Sequence, residues 1–156
     1  MKQLLYYFLI VALVIGLVSC DRKRVFEAYH KLDKNGWNKD SVIVFNVQLT
    51  DTIKNNNLYI DIRNKGNYPY SNIYLFLTVD SPDGKSLTDT VEFILADASG
   101  RWKGSGIGGL HDNQILYKNS VYFPHKGNYT FKIKQGMRDN VLPGIRDVGL
   151  RIEKTY

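Results

Sequence analysis

The chain has 156 residues, a formal net charge of +6 and a hydrophobic content of 44%. This length fits one domain, and 23% charged with 13% aromatic residues argue against a disordered or collagen-like chain. The single cysteine excludes a disulfide framework and a zinc site built from cysteines.

The first twenty residues have the layout of a bacterial lipoprotein signal. Lys2 precedes an uncharged, mostly aliphatic run over residues 4–18, which falls short of the ~20 residues that a helix needs to cross a bilayer core. The run ends in Leu17-Val18-Ser19-Cys20, which resembles the lipobox. In that motif the cysteine thiol takes a diacylglyceryl group, the preceding peptide bond is cut, and the new amine is acylated.

We therefore predict a signal peptide over residues 1–19 and a covalent diacylglyceryl and N-acyl lipid, palmitate being one such acyl group, on Cys20. The alternative is a signal anchor in which Cys20 is only a small buried thiol. No other cofactor is expected. The membrane is the first predicted partner, reached through this lipid anchor.

Residues 20–40 are predicted to form a lipidated tether. Its cations, in Asp21-Arg22-Lys23-Arg24, either contribute about 1 kcal/mol each against an anionic surface or are simply solvated. No acidic run follows Cys20, which favours the outer membrane facing the periplasm over the outside of the cell. Within the tether, residues 24–32 are predicted to be one or two helical turns or an extended segment.

From residue 42 onward, apolar and polar residues alternate with a period of two, which is typical of half-buried strands. Clusters of Asn, Asp, Pro and Gly separate the runs. The runs lie at 43–49, 58–63, 73–79, 91–95, 129–134 and 148–152, with a further strand near 120–123. The pattern predicts an all-β fold, an antiparallel β-sandwich of immunoglobulin-like size with about seven strands, over residues 41–156.

The most unusual stretch is residues 95–109, in which four of the chain's 13 glycines fall within residues 104–109. A phosphate-binding loop would run into a helix, and no helical pattern follows this one. The glycines instead favour a close backbone approach or a bulge, with Trp102 packed over the end of the sandwich. The functional alternative is a partner-binding loop anchored by Arg101 and Trp102, since these residue types dominate interface hot spots.

Tyrosines supply a second set of candidates, chiefly Tyr68 and Tyr70. They fit either a protein interface, a sugar-stacking platform, or the ordinary half-buried positions that tyrosine occupies in strands. The sugar-stacking version makes an envelope glycan-binding module the alternative function.

No catalytic or metal site is predicted. The three histidines, His30, His111 and His125, have no zinc-binding spacing, and Ser105 lacks the five-residue Gly-x-Ser-x-Gly pattern. A hydrolase built around Ser105 or His111 is the third hypothesis, and it requires a nucleophile and base within hydrogen-bond reach. The mild positive charge needs no nucleic acid to explain it, and no small-molecule substrate is expected.

Three short patterns, an Asp followed by Ser or Thr and an aliphatic residue, resemble the O-glycosylation acceptor of exported Bacteroidetes proteins. The acceptor residues would be Ser41, Thr52 and Thr90. The alternative is that each Asp side chain closes a turn before a strand.

Several phrases together resemble the GldH gliding-motility lipoprotein family of Bacteroidetes. They include Trp37-Asn38-Lys39-Asp40, Ile62-Arg63-Asn64, Tyr68-Pro69-Tyr70-Ser71-Asn72-Ile73-Tyr74, Pro82-Asp83-Gly84, Leu95-Ala96-Asp97, Gly100-Arg101-Trp102-Lys103-Gly104-Ser105-Gly106, Gly127-Asn128-Tyr129, Gln135-Gly136-Met137-Arg138 and Val148-Gly149-Leu150-Arg151. The resemblance implies a lipoprotein of the cell envelope that acts without catalysis in the gliding-motility and type IX secretion machinery. Its expected partners are other gliding or secretion proteins of the envelope. The resemblance supplies no catalytic residues.

Overall fold

A computed structural model describes residues 21–155 of the protein. The predicted signal peptide, residues 1–19, and the predicted lipidation site, Cys20, lie outside the described residues. Over residues 21–155 the chain is built from strands, and none of that part forms a helix long and apolar enough to cross a membrane.

Ten antiparallel strands make up this part of the chain. They are β1 Arg24–Lys31, β2 Trp37–Asn38, β3 Ile43–Leu49, β4 Asn56–Lys65, β5 Asn72–Asp80, β6 Ser86–Ile94, β7 Leu110–Val121, β8 Gly127–Gln135, β9 Val141–Leu142 and β10 Ile145–Lys154. One four-stranded sheet has the order β1-β10-β4-β7 and the other the order β3-β8-β5-β6, while β2 and β9 pair separately. The predicted all-β antiparallel sandwich is confirmed.

The core lies between the two four-stranded sheets, and alternate residues of their strands point into it. In β3, Ile43, Phe45, Val47 and Leu49 are buried while the residues between them are exposed. Because successive side chains of a strand point to opposite faces, this alternation places one face on the core and the other in water. The period-two pattern therefore predicted which side chains of such a strand are buried.

The number of strands and the start of the domain both differ from the prediction. Of the two alternatives for residues 24–32, the extended one holds over residues 24–31, but they belong to the folded domain rather than to a tether, because β1 pairs with β10 from Phe26 opposite Ile152 to Lys31 opposite Asp147. The short strands β2 and β9 carry too few residues to show a period. The strand expected near 120–123 is the end of β7, which begins at Leu110.

The strand directions divide the loops between two opposite ends of the sandwich. The N-terminal end is defined here as residues 21–23 with the loops 50–55, 81–85 and 122–126. The far end comprises the segments 32–42, 66–71, 95–109 and 136–144. The residues singled out as partner-binding candidates all lie at the far end.

Candidate partner-binding site at the far end

The segment 95–103 at the far end is a tight reversal fixed by one carboxylate. The Asp97 side chain accepts hydrogen bonds from the Ser99 hydroxyl at 2.6 Å, the Ser99 N–H at 2.9 Å and the Arg101 N–H at 3.0 Å. These bonds, led by the Ser99 hydroxyl, lower the pKa of Asp97. A β-bridge between Ala96 and Trp102 closes the segment, so its shape is set before any partner arrives.

Arg101 is the most accessible of the predicted partner-binding residues. Its side chain is 83% exposed, and its guanidinium lies 3.0 Å from Asp97 Oδ2 through both Nε and Nη2. This contact orients the planar group while leaving the rest of it open to solvent. An oriented, exposed guanidinium suits recognition of a carboxylate or an aromatic face.

Trp102 is half-buried and packs against the core, as predicted from the sequence. Its ring centroid lies 6.3 Å from that of Tyr68 and 5.6 Å from that of His111, the latter at an interplanar angle of 31°. Because neighbouring rings cover part of the indole, only the remainder is available for a contact. The tryptophan therefore supports the loop as well as contributing surface.

The two tyrosine candidates are more buried than a binding surface requires. Tyr68 is only 4% exposed, and its hydroxyl donates to the Asn72 carbonyl at 2.9 Å. Burial raises the pKa of Tyr68. Its assignment as a partner-binding residue is therefore corrected, since the side chain belongs to the core.

Tyr70 is half-buried and tied to the next loop. Its hydroxyl donates to Asp139 Oδ2 at 2.7 Å, and this bond is the main cause of the raised pKa of Tyr70. The contact joins the 66–71 segment to the 136–144 segment. Tyr70 therefore stabilises the contact between these two segments, and only part of its ring is accessible.

The glycine-rich loop permits a close approach of two backbone segments, as the sequence predicted. A Cβ on Gly104 would lie 2.8 Å from the Asp112 carbonyl oxygen, and one on Gly106 would overlap the Leu110 carbonyl. Gly108 and Gly109 have φ values of +68° and +78°, which favour glycine. The loop leads into a strand, so it lacks the helix that a phosphate cradle uses.

The loop also exposes an apolar side chain that sequence reasoning did not single out. Ile107 is 93% exposed at the tip of the far end. Its position between glycines was the available clue, because a bulky apolar residue in a glycine turn has no neighbouring side chains to cover it. Ile107 adds an exposed apolar side chain to the same end of the sandwich as Arg101.

The hydrolase hypothesis gains no support from the geometry. Ser105 and Asp112 are joined through backbone hydrogen bonds, and the His111 ring packs against the Trp102 ring in a tilted arrangement. Within residues 21–155 no hydrogen bond joins the Ser105 hydroxyl to His111, and no group of three acidic, histidine or cysteine residues is placed to hold a metal.

The three Asp-Ser/Thr patterns lie in different surroundings. Ser41 is exposed at the far end, Thr52 is half-buried in the 50–55 loop, and Thr90 is exposed on the edge strand β6. The turn-closing alternative holds at Thr52, where Asp51 accepts the Ile53 N–H at 3.0 Å. It fails at Thr90, which lies within a strand rather than before one.

Sequence reasoning also did not single out a buried carboxylate, which lies on the face of the β1-β10-β4-β7 sheet that points away from the core. Asp61 is 5% exposed, and its Oδ2 has no hydrogen-bond partner. The Tyr29 ring covers it by lying across Gly149, where a Cβ would come within 2.7 Å of the ring. Burial raises the pKa of Asp61, and burial is also the main cause that raises the pKa of Tyr29 to about 12.

A family model described as GldH lipoprotein matches residues 24–152 of the chain. The chain belongs to the GldH lipoprotein family. The resemblance seen in the sequence is confirmed, and the match begins at the first residue of β1.

Two curated relatives agree with this family assignment. The gliding motility lipoprotein GldH homolog of Christiangramia forsetii is 36% identical over 99% of each chain. The gliding motility lipoprotein GldH of Flavobacterium johnsoniae is 37% identical, over 90% of this chain and 91% of the relative. Both names describe a GldH lipoprotein, and neither describes an enzyme.

Two solved structures show distant likenesses to this GldH family member. A family GH115 4-O-methyl-α-glucuronidase is 13% identical with a TM-score of 0.45, covering 88% of this chain and 18% of the other. The VP2 subviral particle of infectious bursal disease virus is 14% identical with a TM-score of 0.41, covering 86% of this chain and 33% of the other. At these TM-scores neither likeness supports an inference.

Proposed function

We propose that the protein is a non-enzymatic lipoprotein of the gliding-motility and type IX secretion machinery, acting through contacts with other envelope proteins. The relatives named as gliding motility lipoproteins support the role in gliding motility. The observation that carries the contact mechanism is the placement of the exposed Arg101 at the end of the sandwich opposite residue 21. An anchor near residue 21 would leave that loop facing away from the membrane.

The anchor in this proposal is the lipid on Cys20 after removal of residues 1–19. The lipobox at residues 17–20 and the lipoprotein family support it. Each buried CH₂ contributes roughly 0.8 kcal/mol, so two or three acyl chains hold a protein far more firmly than one. We place the protein in the outer membrane facing the periplasm, because no acidic run follows Cys20.

The contact surface in this proposal is centred on Arg101, Ile107 and the open part of Trp102. The Asp97 hydrogen bonds hold the loop in shape, so little conformational freedom would be lost on binding. Arginine and tryptophan are enriched among residues that dominate binding energy. A partner with an acidic and an apolar patch would complement this surface.

The glycan-binding alternative is less well supported. A stacking platform needs open aromatic faces, whereas Tyr68 is buried and Trp102 shares its ring surface with His111. Titration with envelope polysaccharides would separate the two functions. Saturable quenching of tryptophan fluorescence that disappears in Trp102→Ala would favour the glycan.

The proposal is tested by photo-crosslinking in cells. A photoreactive residue in place of Arg101 should capture envelope proteins, and the same residue in place of Thr88, which is exposed on β6, should not. Equal capture at both positions, or none at either, would contradict a contact surface at the far end. In parallel, Cys20→Ala should lose lipid labelling and leave the membrane fraction.

O-glycosylation remains part of the proposal only where an acceptor is accessible. Ser41 and Thr90 are exposed, whereas Thr52 is half-buried. We therefore expect any sugar on Ser41 or Thr90 before Thr52, and peptide mass spectrometry of the protein from its own cells checks this order.

A further inference from the structure

The folded domain begins almost directly after the predicted lipidation site. β1 starts at Arg24, which leaves only residues 21–23 between Cys20 and the first strand. Fully extended, this segment spans at most about 14 Å from Cys20 to Arg24 at ~3.5 Å per residue. Asp21 pairs with Arg151, and the Lys154 N–H donates to the Lys23 carbonyl at 2.9 Å, so the segment is held against β10.

The loops of the N-terminal end form a connected surface around this entry point. Asn55 Nδ2 donates to the Ser120 hydroxyl at 2.9 Å, which joins the 50–55 loop to the end of β7. His125 Nε2 lies 3.4 Å from Asp83 Oδ2, which brings together the 81–85 and 122–126 loops. A membrane held near residue 21 would therefore meet this surface as a unit.

Exposed apolar side chains mark the same end. Ile53 is 88% exposed at the tip of its loop, Leu87 is 66% exposed at the start of β6, and Tyr122 is 57% exposed after β7. Apolar groups of this kind are favourable in the boundary between headgroups and acyl chains, and tyrosine suits that boundary because its ring is amphipathic.

The charge of this end is complementary to an anionic surface. Its acidic residues are already paired, Asp21 with Arg151, Asp51 with Lys154 at 3.5 Å and Asp83 with Lys85 at 3.0 Å. Arg22, Lys54 and Lys126 are exposed, and their side chains form no ion pair within residues 21–155. The uncompensated charge is therefore positive.

We propose that the N-terminal end is a lipid-binding surface, on which Ile53 and Tyr122 enter the interfacial layer while Arg22, Lys54 and Lys126 contact anionic headgroups. The proposal rests on the Cys20 anchor of the proposed function and adds to it a defined orientation of the domain. The far end then projects away from the bilayer.

The test uses protein produced in bacteria from the complete sequence, which we expect to begin at lipidated Cys20, in vesicles of phosphatidylethanolamine and phosphatidylglycerol that contain a headgroup spin label. An environment-sensitive fluorophore is attached to Ile53→Cys or to Ile107→Cys, which are exposed isoleucines at opposite ends. We expect quenching at position 53 to exceed that at position 107 by at least about twofold, because interfacial residues lie within a few ångströms of the headgroups.

Equal quenching at both positions, or stronger quenching at position 107, would overturn the lipid-binding surface while leaving the anchor intact. The N-terminal end would then be free for a protein partner. Failure of the protein to float with vesicles, with a free thiol at Cys20, would overturn the anchor and this proposal together. The two failures are therefore distinguishable.

A charge test addresses the cations separately. Lys54→Glu with Lys126→Glu should reduce quenching at position 53 in anionic vesicles and have little effect in zwitterionic ones. The control pair, Lys34→Glu with Lys39→Glu, changes exposed lysines at the far end by the same charge. An equal effect of both pairs would show that net charge, rather than this surface, governs the contact.

Discussion

At Asp61 a carboxylate oxygen without a hydrogen-bond partner lies buried beneath Tyr29. Its raised pKa means that the protonated form stabilises the fold below the ordinary value of 3.8. That contribution is lost as the pH rises through the higher folded value, because the buried charge is then unfavourable. Asp61 therefore destabilises the protein at neutral pH.

We accordingly expect Asp61→Asn to raise the free energy of unfolding at pH 7 by about 1 kcal/mol, since a buried charge with one unsatisfied oxygen is removed. The difference should vanish near pH 3, where Asp61 is protonated in both states. Urea denaturation at the two pH values measures this, with the exposed Asp40→Asn as the neutral control. A loss of stability at pH 7 would show that Asp61 is well satisfied in the native protein.

Tyr70 offers a second test at the residue scale. Tyr70→Phe removes the hydrogen bond to Asp139 that joins two segments of the far end. We expect the free energy of unfolding to fall by about 1 kcal/mol. The control Tyr122→Phe, which removes the hydroxyl of an exposed ring, should leave the free energy of unfolding unchanged. Equal losses of stability in both variants would contradict a stabilising role of the Tyr70–Asp139 hydrogen bond.

At the scale of elements, β1 distinguishes the observed sandwich from the predicted tether. The Phe26 and Phe45 ring centroids lie 6.3 Å apart in an edge-on arrangement, so β1 packs on the core. Phe26→Ala should lower the free energy of unfolding by about 2 kcal/mol, because the ring is half-buried. A solvated tether predicts no loss, and His30→Ala, at an exposed position of the same strand, is the control.

The glycine-rich loop gives a matched pair of substitutions. Gly106→Ala should destabilise the protein by about 1–3 kcal/mol, because the new Cβ would overlap the Leu110 carbonyl. At Gly66 the nearest atom to a new Cβ is 3.8 Å away, so Gly66→Ala should be close to neutral. Thermal unfolding measures the melting temperature of each variant. Similar melting temperatures would contradict the close approach of Gly106 to the Leu110 backbone.

Strands with one face on the core and the other in water were readable from the sequence, whereas β1 and most of β7 were not. The alternation of β3 predicted which side chains are buried because one of its faces lies on the core. In β1, residues 25–28 are half-buried on both faces and the others are exposed, so no period of two is visible. β7 is polar along much of its length, and only its last residues were predicted.

The candidate site was only partly predictable. The residue type of Trp102 and the glycines predicted a packed loop with close backbone contact, which the structure confirms. No period governs loop residues, so the burial of Tyr68 and the exposure of Ile107 depend on tertiary packing that the sequence does not reveal. The contact between the His111 and Trp102 rings likewise arises from segments brought together by folding.

At the scale of the whole molecule, the proposed function requires a domain with two distinct ends and a lipid anchor at one of them. The N-terminal end combines the exposed Ile53 with Arg22, Lys54 and Lys126, which form no ion pair within residues 21–155. The far end carries the oriented Arg101 and Ile107. Without the anchor, neither the proposed membrane contact nor the outward presentation of the loop follows.

The most direct measurement of this central claim is the intact mass of the protein isolated from its own cells. The account predicts a chain that begins at Cys20 and carries diacylglyceryl and N-acyl groups on that residue. A chain that retains residues 1–19 with an unmodified Cys20 thiol would contradict it.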